Sequence, residues 1–596
     1  MTMKSSIARW TFALLTLALT SCSSPRTVSA HPGDRIETIE IAGTNDIHGA
    51  LTPFSWKTKD APGIAPTPYN AAGVAVLATY IRHLRTQYGK DFLWLDGGDE
   101  FQGSLESNLE GGAPLVDFFN LMKLDGAAIG NHEFDFGLPN LKDRMKQAHY
   151  PYLAANIVNK DSGKLADFPN TLPHMIYSLG ENGALKVGVL GLSTLDTPTT
   201  TRAENVANFR FENLHDTTMK EADALRKAGA QIVVIVTHAG LFCDNHIHGE
   251  SKVRTPDDAQ GTCEKDGEIV RLLQSLPAGT VDAVVSGHTH SVVHHWVNGV
   301  PVIQGASSGK FINVISLSYD WTQKRVIPSL STIEGPIPVC EKVFKNRGDC
   351  SGDVIDPNRG ELVQATFHGE PVVPDADVAR LLDPTIQKTA ATKAKVIGRA
   401  AKGLDDRRSG ESELGNLVSD AIRAAAHSDI AIINSGGIRA PWDSGEITYG
   451  DVYRSLPFDN YLMVLKMNGR QVKQLLNIVE DGSKGISPVS GLKIEMVSLG
   501  KPAPPTGRIL NVWLSDGTPI DDSKSYTVAT LDFLVSGGDN WSKFMPSLTA
   551  DAVIQKSGPM ERDSVVSYLK KIKGPINSAK HPLIDPKNPR FFQINS

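Results

Sequence analysis

The 596 residues predict an α/β chain of the αβ-sandwich kind with a second folded unit behind it, and three observations carry that prediction. From about residue 35 to 335, apolar runs of strand length alternate with helix-length stretches such as Gly73 to Gln87 and Asn213 to Ala228, the alternation expected of strands crossed by helices. Short polar motifs follow the apolar runs, and in such folds ligands collect at strand ends. A further set of strand-like runs, including Ile430 to Ile433 and Tyr526 to Ala529, appears only after residue 396. With 40% hydrophobic residues and 53 Gly, the composition suits two or more folded domains.

Taken in order, residues 1–21 carry Lys4 and Arg9, then the apolar stretch Trp10 to Leu19, and read as a signal peptide that is removed. Leu19-Thr20-Ser21-Cys22 resembles a bacterial lipobox, so Cys22 is the expected lipid attachment point and the protein is expected to be exported, to the periplasm or the outer membrane. Residues 35–370 form the expected first domain, interrupted by the polar stretch Asp244 to Gly267, read as a disulfide-stapled surface insertion. Four cysteines remain in the mature chain, and sequence proximity favours Cys243 with Cys263 and Cys340 with Cys350. Their spacing does not suit a cysteine-ligated metal. Residues 336–370 read as irregular, 371–395 as a linker helix broken or kinked near Pro384, and 396–596 as the second domain.

The precursor carries a net charge of −6, and loss of Lys4 and Arg9 leaves 58 basic against 66 acidic residues, or −8. Such a balance excludes a general nucleic-acid surface, so any phosphate must be attracted locally. After the leader no apolar run is long enough to span a bilayer, which leaves the Cys22 lipid as the expected membrane attachment.

Five segments carry the chemistry: Asp46-Ile47-His48-Gly49, Gly98-Asp99, Gly130-Asn131-His132-Glu133, Thr237-His238-Ala239-Gly240 and Gly287-His288-Thr289-His290. Their apolar leaders are Ile36 to Ala42, Phe92 to Leu95, Ala127 to Ile129, Ile232 to Val236 and Val281 to Val285. Together Asp46, His48, Asp99, Asn131, His238, His288 and His290 predict a two-metal phosphoesterase centre. Asp99, with two carboxylate oxygens, is the expected bridge. An Asp/Asn/His set without sulfur suits Zn²⁺, Mn²⁺, Co²⁺ or Fe²⁺. Two carboxylates facing two divalent ions leave about two positive charges to attract a phosphoryl group. His246, His248, His294 and His295 fit no such pattern and are expected to be surface or packing residues.

These motifs in this order resemble the calcineurin-like metallophosphoesterases, and Gly130 to Asp135 resembles the bacterial 5′-nucleotidase/UDP-sugar hydrolase branch, over nearly all of the mature chain. The resemblance implies a four-layer catalytic domain joined by the linker helix to a smaller α+β nucleotide-binding domain. It implies one metal on Asp46, His48, Asp99 and His290 and another on Asp99, Asn131, His238 and His288. Position 290 is a departure, because some bacterial relatives carry Gln there. His132 is implied to face the phosphorus with Asp135 orienting its ring.

In the second domain, Glu411 to Leu417, Asn434 to Arg439, Leu456 to Asn460 and Phe533 to Asp539 resemble the nucleotide-binding domain of the same family. By that resemblance Arg439 and Arg408, with Arg407 as the alternative to its neighbour, clamp phosphate, and Phe458 and Phe533 sandwich the base. Asn460 and Asp539 would contact base edge and ribose. The implied activity is removal of phosphate from nucleoside 5′-monophosphates by metal-activated water, with UDP-sugars or other nucleotide diphosphates as further substrates. A 2′,3′-cyclic-nucleotide phosphodiesterase with 3′-nucleotidase activity is the alternative within enzymes, its relatives tending to carry Asn where Asp135 stands. A non-catalytic nucleotide-binding lipoprotein is the alternative of another class. Residues before 291 would cut and residues after 400 would read the substrate, so catalysis is expected between the domains, with rotation about the linker delivering substrate.

Overall fold

The computed structural model describes residues 35–57, 68–243, 252–258, 263–350, 358–481, 483–498, 508–579 and 582–594. The leader, Cys22, His246 and His248 lie outside the described residues.

Two sheets stacked face to face form the centre of the first half. In the first, Ile36–Thr44 pairs in parallel with Phe92–Asp96 and antiparallel with Phe311–Asp320, and the sheet continues through Gly126–Ala128 and Tyr152–Leu153. In the second, Leu185–Ser193, Ile232–His238, Ala283–Val285 and Val300–Gly305 run parallel. Antiparallel strands His174–Leu179 and Val292–Val297 close its two edges.

Ile39, Ile41, Leu93 and Leu95 of the first sheet pack against Val187, Val189, Val234 and Val236 of the second. The opposite faces are covered as well. Helices Val74–Tyr88, Ala113–Met122 and Gly137–Gln147 bury Leu77, Ile81, Phe118 and Leu141 with Trp94 on the outer side of the first sheet. Helices Leu214–Lys227 and Glu268–Ser275 bury Leu225, Ile269 and Leu272 with Val233 and Ile235 on the second. Strands covered on both faces must be apolar throughout rather than alternating, which is why the leaders read as unbroken hydrophobic runs. The result is a helix–sheet–sheet–helix sandwich, four layers deep.

Two local expectations are corrected, the break in the linker helix and the irregularity of residues 336–370. The helix Ala376–Lys393 runs through Pro384 without a break. Asp375 caps its first turn by accepting from the Asp377 and Val378 N–H groups, and Val378 and Leu382 pack into the outer helix layer, which offsets the hydrogen bond that proline removes. The polar insertion is stapled by Cys243–Cys263 and its described residues lie at the surface as expected, with the largely exposed Lys252–Arg254 adding an antiparallel edge strand beside Thr332–Pro338. Residues 336–370 hold short strand pairs, Lys342–Phe344 with Leu362–Gln364 and Thr366–Phe367 with Glu370–Pro371. Both disulfides, Cys243–Cys263 and Cys340–Cys350, are formed. Among the described residues no helix is long and apolar enough to cross a membrane.

The second half centres on a mixed sheet in which Ser525–Leu531 lies between Ile430–Ile432 and Leu462–Asn468. Helices Glu413–Ala426, Gly469–Val479 and Glu561–Lys571 cover it, burying Leu417, Val418, Leu475, Leu476, Val565 and Leu569. A three-stranded sheet of Leu492–Val497, Ile509–Leu514 and Phe591–Ile594 completes the unit.

Candidate active site

The parallel strands of both sheets end at one edge of the sandwich, and their loops are tied to each other there. Asp46 N–H donates to Gly98 C=O at 2.8 Å, His48 N–H to Asp99 C=O at 3.0 Å and Gly49 N–H to Glu100 C=O at 2.9 Å. The Glu133 carboxylate anchors the next pair of loops, accepting from the N–H groups of Asp99 (2.8 Å), Glu100 (2.7 Å) and Gly130 (2.8 Å). Glu133 is part of a motif, yet its anchoring role has no sequence signal of its own. Gly130 has to be glycine, because a Cβ there would lie 2.2 Å from Asp99 Oδ1. Asp46, His48, Asp99, His288 and His290 all adopt positive φ, between 50° and 75°, a region that side chains other than glycine seldom enter.

All seven expected ligands come together. One oxygen or ring nitrogen from each of Asp46, His48, Asp99 and His290 lies within 4.8 Å of the others, a group able to hold a metal ion. His48 Nε2 and His290 Nε2 are 3.0 Å apart, and His290 Nε2 is 3.2 Å from Asp46 Oδ1. Beside them, Asn131 Oδ1 lies 3.0 Å from His238 Nε2 and 3.1 Å from His288 Nδ1, while His238 Nε2 is 3.1 Å from Asp99 Oδ2. Asp99 stands between the two groups, but not with both oxygens. Its Oδ1 accepts the His132 N–H at 2.9 Å, so Oδ2 alone faces the cluster.

The donor set fits cations, and the outer hydrogen bonds show why. His48 Nδ1 donates to Gln102 C=O and His238 Nδ1 to Gly97 C=O, each at 2.8 Å, which turns the Nε2 atoms inward. Asn45 Nδ2 donates to Asp46 Oδ2 and to Ala306 C=O, locking that carboxylate. Burial drives His48 and His290 well below the ordinary imidazole range, with Arg439 adding to the effect, and burial takes His288 down to about 3 with His238 contributing. Burial opposes charge on His238 too, but Asp99 and Asp46 raise it to about 10. Its proton balances Asp99, and a cation held there would take over that charge and release the proton.

His132 Nδ1 lies 2.7 Å from Asp135 Oδ2, and since a carboxylate only accepts, the ring N–H donates and Nε2 is the free nitrogen. Burial works against charge on His132, but Asp135 and Asp99 outweigh it and raise the ring above its ordinary value. Asp135 Oδ1 in turn accepts from the Thr201 hydroxyl at 2.7 Å.

Both domains line a cavity of about 1150 Å³ over this cluster. Its walls include Asp99, Asn131, His132, Asp135, His288 and His290 from the first, and Arg408, Arg439, Phe458, Asn460, Phe533 and Asp539 from the second. Arg439 reaches deepest, with Nη2 3.2 Å from both His48 Nε2 and His290 Nε2, and burial with nearby Arg408 lowers its pKa to about 10. Phe458 stacks on His132 with ring centroids 5.3 Å apart, and the Arg439 guanidinium carbon lies 5.7 Å from the Phe458 ring centre. Gly538 packs on Phe533, where a Cβ would come within 2.4 Å of the ring. Asn460 Nδ2 donates to buried Glu561 at 3.3 Å, and Asp539 Oδ2 accepts from Asn434 Nδ2 at 2.6 Å. Arg407 is the correction: its guanidinium turns out to pair with Asp405 and does not line the cavity, because the adjacent acid captures it. Thr201, Arg202 and Asn434 also line the cavity, with no motif to announce the first two.

Residues 39–292 match the calcineurin-like phosphoesterase family, and residues 391–546 match the family described as 5′-nucleotidase, C-terminal domain. The chain is similar to Protein UshA of Yersinia enterocolitica, 28% identical over 581 residues that cover 93% of this chain and 95% of that protein. It is also similar to the 5′-nucleotidase of Vibrio cholerae, 26% identical over 568 residues covering 90% and 91% of the two chains. Among solved structures, a 5′-nucleotidase precursor from Thermus thermophilus aligns with a TM-score of 0.71 at 23% identity, covering 94% of this chain and all of that one. The sulfate thiohydrolase SoxB of the same organism aligns with a TM-score of 0.67 at 16% identity, covering 94% and 97%. Likeness to these two structures shows a shared fold, and since one is a 5′-nucleotidase and the other a sulfate thiohydrolase, the fold does not choose the substrate.

Proposed function

The chain belongs to the 5′-nucleotidase family of calcineurin-like phosphoesterases, and from that premise we propose that this metal-dependent phosphomonoesterase removes phosphate from nucleoside 5′-monophosphates and also cleaves nucleotide diphosphates such as UDP-sugars. One observation carries the reading: Asp99, Asn131, His288 and His290 of the cluster line a cavity whose other wall presents two arginines and two phenylalanines. We assign Asp46, His48, Asp99 and His290 to one divalent ion and Asp99, Asn131, His238 and His288 to the other, with Zn²⁺, Mn²⁺ or Co²⁺ suiting the ligands. When bound, such ions polarise the phosphoryl group and make water a stronger nucleophile.

The chain's own residues do the rest. Arg408 and Arg439 draw the phosphoryl oxygens to the floor of the cavity by charge-assisted hydrogen bonds. Phe458 and Phe533 hold the base, at about 1–3 kcal/mol per stack, while Asn460 and Asp539 meet its edge and the ribose. His132, whose Nδ1–H is held by Asp135 and whose charged form Asp135 and Asp99 favour, donates from Nε2–H as imidazolium to oxygens on which negative charge develops. The catalytic domain is assigned to residues 35–370 and the nucleotide-binding domain to 396–596, with the helix between them as the linker. Export with a lipid on Cys22 is part of the same reading, supported by the leader's composition and by two disulfides, which persist in oxidising compartments.

A phosphate-release panel of AMP, 3′-AMP, cyclic nucleotides, UDP-glucose and NAD, run with Mn²⁺, Zn²⁺ or Co²⁺, tests the proposal. AMP is expected to rank high, a chelator to abolish release, and His132→Ala to lower turnover by about 10²–10⁴-fold. Release from cyclic or 3′-nucleotides but not AMP would overturn it.

A further inference from the structure

The segment Asp196–Arg202 joins a strand of the second sheet to the loops beside the cavity, and its residues bond alternately to two sides. Toward the second domain, Asp196 pairs with Lys484 at 3.2 Å, and Thr199 C=O accepts the Asp539 N–H at 3.1 Å. Arg202 donates to the Asp459 carbonyl and lies 3.7 Å from the Asp532 carboxylate. Toward the catalytic cluster, Thr200 C=O accepts from Asn131 Nδ2 at 3.1 Å, and the Thr201 hydroxyl donates to Asp135 Oδ1 at 2.7 Å. Thr201 is 2% exposed, so water does not compete for that bond. Asn205 reinforces the same place, donating to Phe134 C=O at 2.8 Å.

We propose that Thr199–Arg202 is a strap that couples docking of the second domain to the orientation of His132, with Thr201 as the positioning residue. The proposal rests on the reading above, in which His132 faces the phosphorus. Asp135 holds the His132 ring through Oδ2 only, and a carboxylate bonded through one oxygen can still turn about its last torsion. The Thr201 hydroxyl on Oδ1 fixes the carboxylate plane, and through it the direction of the imidazole. Thr200 does the same for the Asn131 amide, whose Oδ1 faces His238 and His288. Thr199 and Arg202, which bracket these two residues, make their contacts with the second domain. A substrate-loaded domain that docks here thus fixes the strap and the groups hung from it together. If it is not docked, the strap loses its outer bonds.

Full-length wild type, Thr201→Val, Thr201→Ser and Arg202→Gln are to be compared for AMP hydrolysis with Mn²⁺, together with metal content, melting temperature and crystal structures. Valine keeps the shape and loses the donor. Thr201→Val is expected to lower kcat by about 10- to 100-fold with KM within about twofold, at wild-type metal content and with a melting temperature lower by about 3–6 °C. Thr201→Ser restores kcat to within about threefold, and Arg202→Gln lowers kcat by about tenfold. Adding Thr201→Val to Asp135→Asn should cost little more than Asp135→Asn alone, since both act through one bond. Wild-type kcat in Thr201→Val, or losses that multiply in the double variant, would overturn the proposal. Absence of AMP turnover in the wild type would instead sink the nucleotidase reading. Even then the crystal structure decides, because an Asp135 carboxylate that keeps its orientation on His132 in Thr201→Val removes the positioning role.

Discussion

Replacing Glu133 by glutamine tests whether one buried carboxylate holds the metal-binding loops in place. Its Oε2 accepts from Asp99 N–H and Gly130 N–H and its Oε1 from Glu100 N–H, at 2.7–2.8 Å. Glutamine has a single acceptor oxygen. In its better orientation that oxygen keeps Asp99 and Gly130, while the amide NH₂ confronts the Glu100 N–H. One charge-assisted bond is lost, about 1.5–3 kcal/mol, and a buried N–H is left unpaired at a further cost of about 1–3 kcal/mol. At roughly 2 °C per kcal/mol for a large domain, the first-domain melting transition should fall by about 5–12 °C. Because the released Glu100 N–H belongs to the loop that carries Asp99, Mn²⁺ affinity should also fall by about 10- to 100-fold. Burial together with Asp99 pushes the Glu133 carboxyl up to about 7, so the comparison is made at pH 8, where the wild-type group is ionised. Calorimetry gives the melting shift and a metal titration gives the affinity. A variant that melts and binds Mn²⁺ like the wild type would refute the anchoring argument.

Three further perturbations probe other parts of the molecule. Burial raises Glu480 from 4.5 to about 8, so between those values the folded chain holds a proton that the unfolded chain has released. Stability from this group is full below pH 4.5, declines as pH rises and levels off above pH 8. By pH 7 about 3 kcal/mol is lost; Glu480→Gln should flatten that decline in urea unfolding followed from pH 5 to 8, and an unchanged slope would argue against it. Gly538→Ala puts a Cβ within 2.4 Å of the Phe533 ring; KM for AMP should rise by about 5- to 100-fold, with p-nitrophenyl phosphate, which needs no base site, hardly affected. Cys340→Ser with Cys350→Ser opens a loop of 10 residues and should cost about 2–3 kcal/mol in denaturant unfolding.

How much of this was legible in the sequence depends on the kind of force involved. Strands buried on both faces need unbroken apolar runs, so all five leaders could be recognised and the residues just after them located. Ala376–Lys393 was legible as a helix but not as a continuous one, because what carries it past Pro384 is the burial of Val378 and Leu382 on distant helices. Arg407 and Arg408 are chemically identical neighbours; only Asp405, two positions before Arg407, turns one outward and leaves the other in the cavity. Asp99 offers two oxygens on paper. In the fold one of them is spent on the His132 N–H. Thr201 sits in a run of threonines that no periodicity or motif distinguishes, and its role exists only because Asp135, 66 positions away, lies 2.7 Å from it.

Backbone conformation at the cluster was equally invisible, and it bears on what the cluster is for. Asp46, His48, Asp99, His288 and His290 hold positive φ, at a cost of about 1–3 kcal/mol each, or on the order of 5–15 kcal/mol together. That is as large as the net stability of a whole domain. Glycine would relieve each position at no steric cost, so what the side chains do there must outweigh the strain. Their hydrogen bonds to one another are poor compensation, since His48 and His290 bring two nitrogens together at 3.0 Å. Cation binding supplies what is missing, because an ion that binds only the folded state stabilises it by about 4 kcal/mol at a thousand times its dissociation constant. A chelator should therefore lower the first-domain melting temperature by roughly 8 °C per such ion, at about 2 °C per kcal/mol, and excess Mn²⁺ should restore it. Equal melting in chelator and in Mn²⁺ would mean that the protein framework alone carries the strain, and the energetic case for a cation at these five residues would fail.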